Sequence, residues 1–309
     1  MNEQMEIIEG MRKKIMRLHI FMWIAPVLAI IIAGCSAGFM NSMESYESSI
    51  SLFMLLPFFI GIFEIVFYLI FVRKKQAEYR DYYKTHYVYD MVRQTIPDAM
   101  YQPDYGFPSQ QIAQTGLMQM GNIYKSEDYI RGTYNHVAFE RSDILIQDES
   151  SDSEGHSTTT TYLRGRWMIF ESNKDFEADL QIIQHGFAYA KRKTGIFTKK
   201  AERRHAFKTE DEQFNKMFKC LCQNEVEAFY LLTPGLMQGL MRLAAQSDGK
   251  IMVGFVANQL HVAINSHKDY LEPPIYHSPN NNDIMQVQNE INAVTSFVEG
   301  LNLDRKIFK

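Results

Sequence analysis

Hydrophobic and polar positions follow three rhythms along this chain, and the first is an absence of alternation. Ile20–Met40 reads IFMWIAPVLAIIIAGCSAGFM, without one charge, and Ile50–Val72 reads ISLFMLLPFFIGIFEIVFYLIFV, with Glu64 as its single charge. At about 1.5 Å per residue, each block is long enough to cross a hydrocarbon core of about 30 Å. The short polar segment between them, NSMESYESS, carries no Lys or Arg. Arg12, Lys13, Lys14 and Arg17 precede the first block, and Arg73, Lys74 and Lys75 follow the second. That asymmetry predicts a transmembrane hairpin in the cell membrane with both termini cytoplasmic. A cleaved signal peptide fits less well, because the first block is long for an h-region and a second follows it.

The second rhythm is helical. Residues 73–96 continue the second block as a helix that Pro97 stops, with Tyr79, Tyr82, Tyr83 and Tyr89 on its surface. A turn-rich stretch, IPDAMYQPDYGFPSQ, then reads as a linker or irregular arm. Thr233-Pro234 is a helix start, with threonine as N-cap and proline at the first helical position. Leu236, Leu240, Leu243 and Ala244 share one face of that helix, which ends at Asp248-Gly249. Ile284, Val287, Ile291, Val294, Val298 and Leu301 form the buried stripe of a closing helix.

The third rhythm has period two and begins near Tyr124. Tyr134–Gln147 and Thr158–Phe170 read as paired strands joined by an acidic, hydroxyl-rich loop, DESSDSEGHSTT. Ala178–Ile183 is a further strand, and Ile251–Val256 with Leu260–Ile264 forms a hairpin around residues 257–259. The fold class expected is α+β: a two-helix transmembrane hairpin followed by a cytoplasmic mixed α+β domain with an antiparallel sheet. The divisions are a cytoplasmic N-terminal segment (1–19), the hairpin (20–72, spans 20–40 and 50–72), a juxtamembrane helix and linker (73–106) and the cytoplasmic domain (107–309).

Within the hairpin, Ala25, Ala29, Ala33 and Ala37 recur every fourth residue, with Gly34 and Gly38 beside them. Such a stripe permits close helix packing, against the second span or a second copy of the chain. Glu64 lies mid-span, where a carboxyl group is costly and marks a function or a buried partner. Ile32-Ala33-Gly34-Cys35 resembles a lipobox, but its long n-region and the apolar residues running on to Met40 favour an ordinary helix cysteine.

Composition narrows the chemistry. The 309 residues carry a formal net charge of −4, which argues against a dedicated nucleic-acid binder. Three cysteines are too few for a disulfide framework and suit a reducing compartment. No phosphate loop, dinucleotide fingerprint, HExxH or nucleophile elbow occurs. Cys220 and Cys222 would share one face of a strand, but no second ligand pair follows at metal-site spacing. The histidines are scattered, and His261 faces away from Leu260 and Val262, toward the surface or a second face. Asp175, Glu177 and Asp179 read as a solvated edge. No catalytic, cofactor or metal residues are therefore assigned. The densest charge cluster is basic: Lys191, Arg192, Lys193, Lys199, Lys200, Arg203 and Arg204. On a tethered domain, attraction to an anionic leaflet outranks RNA, and both stand behind a plain solvated loop.

Tyr129-Ile130-Arg131-Gly132, Leu163-Arg164-Gly165-Arg166-Trp167, Phe214-x-x-x-Phe218 and above all Glu225–Pro234 (EVEAFYLLTP) resemble an uncharacterised bacterial family, domain of unknown function 3137, from about Tyr79 to Leu303. The resemblance implies a membrane-anchored cytoplasmic protein without an assigned activity, and brings no catalytic residues with it. The function expected is a membrane-anchored binding or scaffold module with membrane lipid as a partner, joined by other membrane proteins or by itself through the first span. A membrane-tethered enzyme acting on a small molecule or lipid is the alternative.

Overall fold

The computed structural model describes residues 2–40, 59–151, 156–171, 179–187, 204–256 and 259–303. The chain divides into two compact units. One joins Met1–Val88 to Glu272–Ile284; the other joins Tyr89–Leu271 to Met285–Lys309.

Among the described residues, the larger unit is built on a nine-stranded, wholly antiparallel sheet. Its strands are β1 (Met100–Gln102), β2 (Ile123–Tyr134), β3 (Val137–Ser151), β4 (Ser157–Glu171), β5 (Leu180–Gln184), β6 (His205–Phe207), β7 (Phe218–Cys222), β8 (Lys250–Val256) and β9 (Gln259–Asn265). They lie in the order β1-β2-β3-β4-β9-β8-β5-β7-β6. The expected mixed α+β class with an antiparallel sheet is what the chain forms. Asn135 and His136 connect β2 to β3, both at positive φ (48° and 65°), as a two-residue turn matched to strand twist requires.

The acidic stretch after Gln147 is not simply a loop. β3 and β4 remain paired through Glu149↔Thr159 and Ser151↔Ser157, so hydroxyl-bearing strand ends occupy most of it. The turn-rich arm is no free linker either. It contributes edge strand β1, a short helix α3 (Ser109–Gln114), and Phe107, Ile112, Leu117 and Met118 to a core with Ile144, Leu163, Trp167 and Ile169. Tyr124 Oη donates to the Phe107 carbonyl at 2.7 Å, and Gln181 Nε2 to that of Leu117 at 2.8 Å, pinning the arm to one sheet face. His261 is buried beneath this arm rather than at the surface, and Trp167 Nε1 donates to its Nδ1 at 3.2 Å.

Helices cover the opposite face. They include α4 (Glu212–Met217), α5 (Glu225–Leu231), α6 (Pro234–Gln246) and α7 (Asn281–Leu301). Asp211 caps α4 by accepting from Gln213 N and Phe214 N, at 2.8 and 2.9 Å. Thr233 caps α6 as expected, accepting from Leu236 N at 3.2 Å with Pro234 behind it. Val287, Ile291, Val294, Val298 and Leu301 of α7 are buried. Cys220 and Cys222 share the buried face of β7, and both thiols are free.

The smaller unit pairs α1 (Asn2–Met40) with a helical segment α2 (residues 59–95, whose last turns enter the larger unit) that includes two π-helical stretches, Tyr68–Val72 and Tyr83–Val88. Ile8, Arg12, Ile15 and His19 form the buried stripe of α1, and Val72, Tyr79, Tyr83 and Tyr87 that of α2. Residues 272–284 strap across both helices. Tyr79 Oη donates to the Pro274 carbonyl at 2.9 Å, and buried Lys84 Nζ lies 2.6 Å from Glu272 Oε1. Arg12 binds Glu9 with two nitrogens, at 2.7 and 2.8 Å, and reaches Ser278 Oγ at 3.0 Å. Arg12 thus holds the Glu9 carboxyl down at about 2. The α1 backbone is helical through the whole block 20–40, though its side chains are described only at residues 20–24, 26, 27, 30 and 31. Among the described residues no helix is long and apolar enough to cross a membrane. The fold by itself therefore does not supply the expected hairpin.

Gly239 on α6 lies against Gly300 on α7; a Cβ there would stand 2.4 Å from the Gly300 carbonyl oxygen. Inside a helix, Gly→Ala ordinarily gains about 0.5–1 kcal/mol. At this crossing the steric conflict outweighs that gain, and Gly239→Ala should destabilise by about 1–3 kcal/mol. Gly235→Ala, whose Cβ meets only Thr233 Oγ1 at 4.0 Å, should be neutral or stabilising. Denaturant midpoints of the two variants check the opposite signs; equal midpoints would contradict the close crossing.

Candidate functional site

Strand alternation places Phe139, Arg141, Asp143 and Leu145 of β3 on the helix-covered face, with Arg164, Arg166, Met168 and Phe170 of β4 in register beside them. Two arginines and an aspartate thus stand where a sheet would normally present apolar side chains to α7. Arg141 and Arg166 are buried, and so is Glu290, which occupies a core position in the stripe of α7. Unpaired, such charges would be prohibitively costly. Arg141 Nη2 donates to Glu290 Oε2 at 3.1 Å and to Asp143 Oδ1 at 2.9 Å. Arg166 Nη1 donates to Glu290 Oε1, and its Nη2 to Asp248 Oδ1 at 2.6 Å. One carboxylate of α7 therefore bridges two guanidinium groups on neighbouring strands.

A bulge in β2 completes this hub. Pairing slips between Glu127 and Ile130, so Asp128 and Tyr129 lie opposite Ser142. Asp128 adopts a positive φ of 58°, which aspartate tolerates better than most residues. Its amide donates to the Pro103 carbonyl at 2.9 Å, and Ser142 Oγ bonds the Glu127 carbonyl at 2.6 Å. The bulge turns the Asp128 carboxylate inward, where Tyr101 Oη donates to it. Burial and that carboxylate push the Tyr101 phenol well above its usual range, so it stays a donor.

Oxygens of Asp128, Asp143 and Asp269 all lie within 4.8 Å of one another. Three hard oxygens at such spacing are the kind of set a divalent cation uses. The arrangement also answers its charge with protein groups. Desolvation pushes Asp143 up to about 8, outweighing the opposing pull of Arg141, and the carboxylates of Asp128 and Asp269 add to the rise. Burial thus favours the protonated form of the Asp143 carboxyl. A pocket of about 190 Å3 opens beside it, lined by Lys125, Glu127, Asp143, Arg164, Lys268 and Asp269.

The residues singled out from sequence lie elsewhere. Lys191, Arg192, Lys193, Lys199, Lys200 and Arg203 fall outside the described residues. Arg204 is described and turned inward: it binds both oxygens of Asp179, at 2.6 and 2.8 Å, and the carbonyls of Thr115 and Gly116. Glu64 lines an apolar cavity of about 380 Å3 with Phe21, Met22, Pro26, Phe59, Phe63 and Phe67. The Ala25, Ala29, Ala33, Gly34, Ala37 and Gly38 stripe lies on the helical backbone of α1, as does Cys35; their side chains are outside the described set.

Two of the sequence motifs converge on the hub. Tyr129–Gly132 follows Asp128 directly, and Arg166 belongs to the Leu163–Trp167 strand. Residues 161–303 match the family model described as "Protein of unknown function (DUF3137)". That match spans just under half of the chain. The match takes in Arg166, Asp248, Asp269 and Glu290, while Asp128, Arg141 and Asp143 precede it. No curated protein matches the chain. A similar solved structure is the crystal structure of the mycobacterial trehalose monomycolate transport factor A, TtfA. It is 6% identical, with a TM-score of 0.38 over 69% of this chain and 93% of that one, too distant to transfer any property to this chain.

The Asp143 proton makes stability depend on pH in a direction unusual for a carboxyl group. The unfolded chain ionises this group near 3.8 and the folded one near 8, so its contribution is complete below about 4 and is lost as pH rises toward 8. Buried His261 opposes this at lower pH: burial lowers it from 6.5 to about 4, so its contribution is present above 6.5 and lost as pH falls. Burial also lowers His19, and both histidine effects lie below about 6.5, so among the described residues the Asp143 effect leads between pH 6.5 and 8. Stability from denaturant unfolding should fall there by up to roughly 1.4 kcal/mol per pH unit, and Asp143→Asn should flatten the slope. An unchanged slope in the variant would remove the proton from the hub.

Proposed function

We propose that this chain is a membrane-anchored binding module, with residues 20–40 and 50–72 as a transmembrane hairpin and the α+β domain on the cytoplasmic side. One observation carries the reading. Ile20, Phe21, Trp23, Ile24, Val27, Ile30 and Ile31 on α1 are exposed, and so are Phe59, Ile62, Phe63, Ile65, Val66, Leu69, Ile70 and Phe71 on α2. Trp23 is 76% exposed. Each such side chain forgoes about 1.5–3 kcal/mol if left in water, and a patch this extensive marks a surface that lipid or protein covers. The basic residues flanking the two blocks, and none between them, orient the hairpin.

Binding is favoured over catalysis because the acids gathered at the hub are engaged by Arg141, Arg166 and Tyr101 rather than set beside a nucleophile. The small-residue stripe from Ala25 to Gly38 suits association with another membrane protein or a second copy of the chain. Lys191, Arg192, Lys193, Lys199, Lys200 and Arg203 supply attraction to anionic lipid of about 1 kcal/mol each near the surface; Arg204, tied to Asp179, does not count among them. Changing Lys191, Arg192, Lys199 and Arg203 to Gln in the full chain should reduce crosslinking to a photoactivatable anionic lipid severalfold, and undiminished crosslinking would reduce the run to a solvated loop.

Reporter fusions after Lys309 and within residues 42–49 test the topology. The account expects a cytoplasmic signal at Lys309 and an extracytoplasmic one in the turn. An extracytoplasmic signal at Lys309, or release of the chain from membranes by alkaline carbonate, would overturn it.

A further inference from the structure

We propose that the cleft between α6 and α7 binds a neutral polyhydroxylated ligand, either a soluble sugar or the sugar headgroup of a lipid. The cleft encloses about 310 Å3, the lower end of the range for small-molecule pockets. Its inner wall is the outer end of the ionic hub, with Arg166 and Glu290 buried there and Asp248 beside them.

Arg166 is the guanidinium at that wall, and Glu290 and Asp248, both bonded to it, are its two carboxylates. Arg141, which does not line the cleft, pairs with Glu290, so the four charges cancel among themselves. An anion would meet the two carboxylates, and a cation would meet carboxylates already paired.

The remaining polar lining comes largely from carboxamides: Gln246 on α6 and Gln286, Asn289 and Asn292 on α7. A carboxamide both donates and accepts, as each hydroxyl of a sugar does. The ring of Phe297 adds an apolar wall. The helix itself supports a use for these residues. Asn289 and Asn292 sit mid-helix, where asparagine is a poor helix former, and residues 285–298 contain no Lys or Arg. A local preference set against the fold is expected where a site is maintained. The proposal does not rest on membrane anchoring, and its test separates the two.

The experiment uses the full chain in nanodiscs of phosphatidylcholine, with glucose, maltose and myo-inositol as probes in saturation-transfer NMR. At least one should bind saturably. Asn289→Ala with Asn292→Ala should weaken that binding tenfold or more without lowering the melting temperature, because alanine is the better helix former. In nanodiscs that also contain glucosyl diacylglycerol, loss of the soluble-sugar signal identifies the lipid headgroup as the source, and an unchanged signal identifies the free sugar. The proposal is overturned if none of the three probes binds, if the double variant binds as well as the native chain, or if inorganic phosphate competes as effectively as the sugars.

Discussion

Two guanidinium groups buried beneath one helix constrain much of what surrounds them. Arg141 and Arg166 lie side by side on the sheet face that α7 covers, and neither can be left unpaired in a medium of low polarity. Glu290 must therefore point down from α7 at one register, between Val287 and Ile291, and the helix cannot slide without separating it from both arginines. Asp143, the Asp128 carbonyl and Asp248 also accept from these guanidinium groups, and each comes from a different local device: strand alternation, a bulge, and the turn after α6. The apolar stripe of α7 supplies the greater part of the burial energy. The hub decides which of several similar apolar registers is adopted, the use of buried polar groups with the best precedent.

Much of the scaffold was legible in the sequence because its signals are local. The Thr233-Pro234 start of α6, the hairpin of β8 and β9 and the stripe of α7 each follow from spacing within about twenty residues. The pairing of β3 with β4 was legible for the same reason. What escaped depended on contacts distant in sequence. Residues 96–110 read as a linker or irregular arm because their prolines and glycine are local signals, whereas Phe107 finds its partners on the sheet. His261 reads as a surface or second-face residue, and it is β4, bringing Trp167 beside it, that decides for a buried second face.

The hub escaped for a related reason. Arg141, Arg166 and Glu290 each look like the polar member of an alternating or amphipathic pattern. Only the phase betrays them: Arg141 and Asp143 share a strand face with Phe139 and Leu145, and Glu290 adjoins Ile291 in the buried stripe. Charge density, the signal that drew notice to residues 191–204, favours solvated segments over buried ones, and Arg204 at its end turned out to be an internal ion pair.

The two units divide the labour differently from a simple tail and head. The strap of residues 272–284 leaves the larger unit's sequence to bind α1 and α2 through Tyr79, Lys84 and Arg12, then returns as α7. The helix that carries Glu290 thus begins in the strap. The most direct test of the account is a double-mutant cycle on Arg166→Met and Glu290→Leu, read by denaturant unfolding. The account predicts a coupling of roughly 2 kcal/mol or more, within the range for bonded buried partners, with Arg164→Met and Glu290→Leu additive as the control. Additivity of Arg166 and Glu290 within about 0.5 kcal/mol would contradict it.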